Sequence, residues 1–186
     1  TDGGKAFDEI APGYTGTLWL EVVPLSFTVR VHEGLALNQV RLIAGDRVSL
    51  TDDEVRARHT EDGLLFRADQ AVAPEDFRIA SGLFLGLDLE GDAEGRVGHR
   101  AKPHTALLDM GRISAYHAED FWEPVKREEG DRIVLVPGAF YLLLSDEAVV
   151  IPPDLAAEMT AYDPTAGELR THYAGFFDPG FGYDPS

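Results

Sequence analysis

The sequence predicts a mainly β protein that holds parts of two tandem repeats. Short segments of alternating apolar and polar residues follow one another along the chain, with turn residues between them. This pattern is typical of antiparallel sheets. A Pro-Gly-aromatic phrase occurs near both ends, at residues 12–14 and 179–181. The recurrence of this phrase indicates two copies of one structural unit.

Three strands are predicted in the first part of the chain, each from alternating residues, at positions 17–23, 25–31 and 35–43. In the first strand, Trp19 and Glu21 share one face, opposite a row of aliphatic side chains. Pro24 ends this strand because proline has no N–H to donate to a β-ladder. We expect such short strands to form an antiparallel sandwich or barrel.

The rest of the chain is predicted to contain one helix and four further strands. Thr51 and Glu54 are spaced as in a capping box, which predicts a short helix over residues 51–60. The strands are predicted at residues 83–89, 132–136, 139–144 and 148–151. Residues 154–162 fit either a helix or an extended path, and residues 176–182 are predicted to form a tight glycine-rich turn.

The boundary between the repeats is predicted in the acidic, glycine-containing segment at residues 90–95. Residues 1–95 would hold the C-terminal part of a first repeat plus an insert at residues 46–90, and residues 96–186 the N-terminal part of a second. The chain is therefore interpreted as a fragment of a longer duplicated protein. The strand expected after the second Pro-Gly phrase would follow Ser186.

Composition argues against several classes of function. The 186 residues have a net charge of −17, which disfavours nucleic-acid polymers and anionic membranes as partners. The chain has no run of about 18 apolar residues that could span a membrane. It also has no cysteine, so thiolate zinc sites are excluded, and a cytoplasmic location is expected. The basic cluster at residues 96–104 is interpreted as a solvated or salt-bridged loop.

Two acidic residues are candidates for chemistry, whereas the scattered histidines predict no metal site. Glu21, on a strand face beside Trp19, would be partly desolvated and suited to proton transfer near neutral pH. The alternative is an exposed glutamate on an edge strand. Asp178 would form either an Asx turn or the floor of a pocket, where Gly175 and Gly180 let a ligand approach the backbone.

Several stretches together resemble the deoxycytidine triphosphate deaminase branch of the dUTPase-like superfamily, most closely its long, internally duplicated bacterial form. Residues 149–157 (VVIPPDLAA) are similar to the family's strand and proline lead-in, and residues 174–182 (AGFFDPGFG) to its Asp-Pro-Gly-aromatic turn. Residues 12–21 (PGYTGTLWLE) resemble the same turn followed by the strand with the catalytic glutamate. Residues 34–39 (GLALNQ) resemble the family's strand with a glutamine.

The resemblance implies a fold, an assembly and an activity. The fold is a distorted β jelly-roll, or β-clip, and the assembly is a trimer, or a pseudo-hexamer of repeats, with sites shared between subunits. The activity is hydrolytic deamination of dCTP to dUTP and ammonia, without zinc and with Mg²⁺ bound through the substrate phosphates. Glu21 would be the general base and proton shuttle.

The other candidate residues would bind the nucleotide. Ala174 and Gly175 occupy the place where backbone groups recognise the pyrimidine edge, and Phe181 would pack near the sugar. Five more positions are assigned to substrate binding by the same resemblance: Asp2, Gln39, Thr165, Arg170 and Asp178. Because residues 162–170 lack the family's serine pair, an active first repeat and a structural second repeat are expected.

Two alternative functions stay open. A dUTP pyrophosphatase, alone or combined with the deaminase, would use an aspartate such as Asp2 to activate water, whereas deamination needs Glu21. A non-catalytic protein, in which the second repeat only closes a trimer, would need neither residue.

Overall fold

The computed structural model describes residues 10–40, 42, 45, 49–159 and 175–182, which form ten short strands and two helices. The helices are Asp52–Asp62 (α1) and Ala118–Phe121 (α2). The strands are Val29–Arg30 (β1), Leu65–Arg67 (β2), Gln70–Ala71 (β3), Arg96–Ala101 (β4), Leu108–Asp109 (β5), Trp122–Lys126 (β6), Tyr141–Leu143 (β7), Ala148–Val149 (β8), Ala157–Glu158 (β9) and Phe176–Phe177 (β10). The predicted mainly β class is confirmed.

Four small sheets organise the described residues. Two have three strands, in the orders β6-β4-β7 and β3-β2-β8, and both are antiparallel. Strands β9 and β10 form an antiparallel pair, and β1 and β5 a parallel one. Gly98 lies at the centre of β4, and a Cβ there would lie 2.3 Å from the Leu142 carbonyl oxygen. Glycine is therefore required for the close approach of β4 and β7.

Strand β4 corrects the interpretation of residues 96–104 as a loop. The strand is the middle member of its sheet, and its cations are paired with acids on neighbouring segments. Arg96 contacts Asp92, and Arg100 contacts Glu123 on β6. The basic side chains of β4 stand at positions 96, 99 and 100 and do not alternate, so the local sequence gave no strand pattern here.

Helix α1 begins where the capping box predicts. The Thr51 hydroxyl accepts the Glu54 N–H at 3.3 Å, and the Glu54 carboxylate accepts the Thr51 N–H at 2.8 Å. The bond from the Thr51 backbone lowers the pKa of Glu54. The helix ends at Gly63, where φ is +71° and a Cβ would lie 2.5 Å from the Phe66 ring. Both ends are therefore fixed by local sequence.

Replacing Thr51 with alanine should lower the free energy of unfolding by about 0.5–2 kcal/mol, because an N-terminal N–H of α1 loses its acceptor. Chemical denaturation followed by circular dichroism would measure the change. Thr60→Ala is the matched control, since the Thr60 hydroxyl bonds back to the Arg56 carbonyl within the helix and satisfies no end group. Equal effects of the two substitutions would contradict a capping role.

The hydrophobic core lies between α1 and the β3-β2-β8 sheet. Its buried members are Leu65, Val72 and Phe77, with four half-buried neighbours packed against them: Val55, Ile79, Leu83 and Val149. The buried His59 imidazole supports this core from α1. Its Nδ1 accepts the Leu64 N–H at 3.0 Å, so its Nε2 donates to the Val72 carbonyl at 2.8 Å. The predicted insert thus packs with β8, from the far half of the chain.

Several predicted strands are shorter than expected or absent from the described residues. Residues 17–23 and 35–40 form no strand there, and residues 25–31 form only β1. The segments at 83–89 and 132–136 are reduced to isolated bridges, whereas 139–144 and 148–151 contain β7 and β8. Residues 157–158 take the extended path. The alternation of apolar and polar residues predicts which face of a strand each side chain occupies. A strand forms only where a neighbouring strand supplies hydrogen-bond partners, which the alternation does not reveal.

The Asp109 carboxylate on β5 forms polar contacts that connect this strand to β1 and to the segment after β1. Asp109 lies 2.6 Å from His32 Nε2 and 3.4 Å from Arg30 Nη1, and it accepts the Gly111 N–H at 3.0 Å. The hydrogen bond from His32 is the main cause that lowers the pKa of Asp109. The ionised form of this side chain therefore favours the fold.

The stability that Asp109 contributes should be lost in acid. Because its pKa is lowered in the fold, the contribution is fully present above the unfolded value of about 3.9 and disappears as the pH falls through the folded value. Asp109→Asn should therefore destabilise the protein at pH 7 and have less effect below about pH 4. Denaturation midpoints across this range would measure the difference. Asp131→Asn is the control, at an aspartate that is 78% exposed and forms a surface ion pair with Arg127.

Candidate functional site

The two Pro-Gly-aromatic phrases form the same kind of turn. In the first, the Ala11 carbonyl accepts the Tyr14 N–H at 3.2 Å; in the second, the Asp178 carbonyl accepts the Phe181 N–H at 3.0 Å. The glycines between them have φ of +76° and +85°. Proline followed by glycine at positive φ, closed by this hydrogen bond, is typical of a type II turn. The two phrases therefore share one backbone conformation.

The second turn is held against the segment that follows β8. The Gly180 N–H donates to the Ile151 carbonyl at 3.0 Å, and the Ile151 N–H donates to the Phe181 carbonyl at 2.8 Å. A Cβ on Gly182 would lie 2.6 Å from the Val149 carbonyl oxygen. The Phe181 ring packs edge-on against Phe177 at 4.9 Å between centroids. These contacts fix the turn on the protein surface.

The predicted site residues of this turn have different surroundings. Gly175 is half-buried and accepts the Met159 N–H at 2.8 Å, whereas Asp178 is exposed. The Asx turn proposed for Asp178 is wrong. In an Asx turn the Asp178 carboxylate would accept the Gly180 N–H, but this N–H donates to the Ile151 carbonyl instead. The space beside Gly180 is open, with no heavy atom within 4 Å of a Cβ position. A ligand could approach the backbone there.

Glu21 and Gln39 lie apart from this turn. Glu21 is exposed, so of the two environments predicted for it the described chain shows the exposed one and not the partly desolvated one. Gln39 is also exposed, and its N–H bonds to the Asn38 side chain at 2.8 Å. Among the described residues, no hydrogen bond, ion pair or ring contact joins either side chain to the second turn. Asp2, Thr165, Arg170 and Ala174 lie outside the described residues.

The segment around Glu21 exposes an unusual amount of apolar surface. The exposed side chains belong to both faces of the extended chain: Leu18, Trp19, Leu20, Val22, Val23 and Leu25. Trp19 is 92% exposed. Exposed apolar side chains close together in the sequence are typical of a surface that binds another polypeptide segment. Burial of Glu21 would follow from such covering.

The described ranges contain neither a metal-binding cluster nor a membrane-spanning helix. Within these ranges, no three His, Asp or Glu side chains are grouped so that they could hold a metal ion. No helix in the same part of the chain has both the length and the apolar character needed to cross a membrane.

A cavity that the sequence did not predict lies beside the core. Its volume is about 750 Å³, and its lining comes almost wholly from residues 56–86. Three arginines, at positions 56, 67 and 78, line it together with apolar core side chains. The sequence signal that could have identified these arginines is their occurrence within a short part of a chain that is otherwise strongly acidic.

The comparisons with known proteins assign the family. The model of the 2′-deoxycytidine 5′-triphosphate deaminase C-terminal domain matches residues 51–186, and the model of the N-terminal domain of the same family matches residues 1–46. The chain belongs to the 2′-deoxycytidine 5′-triphosphate deaminase family. The resemblance seen in the sequence is thereby confirmed. The match to the N-terminal domain ends at residue 46, and the match to the C-terminal domain begins at residue 51. The repeat boundary at residues 90–95 stays a prediction.

A solved structure of the deaminase family is similar to the chain. It is the crystal structure of 2′-deoxycytidine 5′-triphosphate deaminase from Agrobacterium tumefaciens, with 40% sequence identity and a TM-score of 0.62. The match covers 74% of this chain and 39% of that one, so the chain spans well under half the length of the Agrobacterium deaminase. No curated protein sequence matches the chain.

Proposed function

We propose that the protein deaminates dCTP hydrolytically to dUTP and ammonia, without zinc. The observation that supports this most strongly is the match of both deaminase domain models, which together extend from residue 1 to residue 186. The 40% identity to the Agrobacterium deaminase adds support. The two Pro-Gly turns add local support, because they have the same backbone conformation at both ends of the chain.

Glu21 is the proposed general base. Its carboxylate takes a proton from water as the water oxygen bonds to C4 of the cytosine ring. The same proton then passes to the exocyclic nitrogen, the C4–N bond breaks, and ammonia leaves. The carboxylate is regenerated, so water and dCTP are converted to dUTP and ammonia with no other reactant.

Nucleotide binding is assigned to the second turn, to Gln39 and to residues beyond the described ranges. The open backbone at Gly180 and the half-exposed ring of Phe181 support a base or sugar contact there. Asp2, Gln39, Thr165, Arg170, Ala174, Gly175 and Asp178 complete the proposed set. Mg²⁺ would enter with the triphosphate, held by phosphate oxygens, which is the usual arrangement for this ion.

The proposal includes a homo-oligomer, a trimer or a pseudo-hexamer of repeats, in the cytoplasm. The exposed apolar side chains around Glu21 support an assembly, because a second subunit that packs on them would remove their apolar area from water. The same contact would bury Glu21. Light scattering of the intact protein would give its mass. Cell fractionation would test the location.

The activity is tested by incubating the intact natural protein with dCTP and Mg²⁺ while ammonia and nucleotide products are followed together. Ammonia with dUTP is the expected result, and ammonia with dUMP would mean a bifunctional enzyme. Cleavage of dUTP without ammonia would favour the pyrophosphatase instead. Turnover of neither nucleotide would favour a structural role.

A further inference from the structure

The cavity beside the core, formed mainly by residues 56–86, is a second binding site: we propose that it takes a nucleoside monophosphate or a closely similar phosphorylated aromatic compound. This inference is independent of the proposed deaminase function. It also gives a role to residues 56–86, to which the proposed deaminase function assigns no catalytic or substrate-binding residue.

The accessible apolar part of the site comes from Ile79, Phe84 and Leu85, because the core side chains that also line the cavity are at most 6% exposed. Leu65, Val72 and Phe77 are buried in the core and also line the cavity, with Ile79 and Phe84 beside them. A volume of about 750 Å³ lies within the range of small-molecule sites, which runs from about 300 to 1,000 Å³. An aromatic ring packed on this surface would remove apolar area from water.

The charged part of the site comes from Arg56 and Arg78. Arg56 donates to the Phe77 carbonyl at 3.3 Å and lies over the Phe77 ring, so its only described partners are uncharged. Arg78 is exposed and has no partner among the described residues. A guanidinium has five N–H donors in a planar fork that fits phosphate oxygens. Two such groups at the edge of an apolar surface favour a phosphate over a neutral ligand.

Arg67, the third arginine of the cavity, forms ion pairs within the protein. Arg67 contacts both Asp146 and the buried Glu147, whose second oxygen accepts the Gly86 N–H at 2.7 Å. Arg67 is thus paired with two carboxylates, so this group stabilises the wall of the cavity but attracts no anion, and only Arg56 and Arg78 are left to attract a phosphate. One further acid lines the site: Asp76, whose carboxylate has no described partner. Asp76 would compete with a phosphate for the two arginines.

The test is isothermal titration of the intact protein with AMP, whose purine differs from the pyrimidine of the proposed substrate. AMP should bind more tightly than adenosine, which lacks the phosphate, and than inorganic phosphate, which lacks the ring. Arg56→Gln and Arg78→Gln should each weaken AMP binding about tenfold or more, because each removes a charged hydrogen-bond donor. Added salt should also weaken binding.

Matched variants separate charge from structure. Ala80 lines the cavity and is exposed, so Ala80→Glu should weaken AMP binding more than Ala80→Gln, which has the same size without the charge. Asp76→Asn should strengthen binding by removing the competing acid. Arg132→Gln is the control, because Arg132 also donates to a backbone carbonyl but lies outside the cavity.

Two results would overturn the proposal: absence of AMP binding up to millimolar concentrations, or AMP affinity that is the same in all these variants. Turnover of dCTP is measured on the same proteins. Variants that lose AMP binding but keep dCTP turnover would support a separate site. If AMP binds as expected but dCTP is not turned over, the deaminase proposal is rejected and the proposal of a second binding site stands.

Discussion

Glu21→Gln in the intact protein should lower kcat for dCTP deamination by about 10²–10⁴-fold, the usual contribution of a positioned proton-transfer group. The amide has nearly the shape of the carboxylate but cannot take a proton from water. The effect should appear in kcat, with little change in dCTP binding, because the interaction is needed only as the reaction proceeds. Ammonia release would measure turnover, and equilibrium dialysis with dCTP would measure binding.

Glu33→Gln is the matched control for this experiment. Glu33 is another exposed glutamate on the early part of the chain, in the turn after β1, and no role is assigned to it. We expect it to keep full turnover. If Glu21→Gln deaminates dCTP at the unaltered rate, Glu21 is not the proton shuttle and another acid must be sought. Circular dichroism of both variants would show whether the fold is retained.

Leu65→Ala should lower the free energy of unfolding by about 2–5 kcal/mol, the largest effect on stability that we expect from a single side chain. Leu65 is 1% exposed at the centre of the core between α1 and the β3-β2-β8 sheet. Truncation removes buried methyl groups and leaves a cavity that rigid neighbours cannot fully close. Denaturant unfolding of the intact protein, followed by tryptophan fluorescence, would measure the change.

Leu142→Ala is the control for Leu65→Ala. Leu142 is on β7 and is 50% exposed, so the same truncation removes less buried area. A difference of at least about 1 kcal/mol between the two variants is expected. Equal losses would show that the cluster around Leu65 does not form the stabilising core.

Two local features of the fold were predictable because short stretches of sequence determine them. The capping box of α1 depends on side chains three positions apart, and both are present at Thr51 and Glu54. The Pro-Gly turns depend on proline fixing one φ and on glycine adopting a positive one. These same turns supported the resemblance to the deaminase family, which the domain models confirmed.

The candidate site was predictable only in part. The sequence identified the turn at Gly175–Phe181 and the glutamate at position 21, and the structure describes both, but no described contact connects them. Of the two environments predicted for Glu21, the structure shows the exposed one; the partly desolvated one assumed that the alternating segment has a partner strand. Partial burial requires a covering segment, and none among the described residues pairs with residues 17–23.

The sequence alone determined the mainly β class, the start of α1, the repeated Pro-Gly turn and the family. All of these depend on residue types at short, fixed spacings. The tertiary structure decided that β4 is the centre of a sheet, that β2 pairs with β8, and that Arg56 and Arg78 line one cavity. Such contacts join residues far apart in sequence, and their partners are set by packing and hydrogen bonding, which no local pattern specifies.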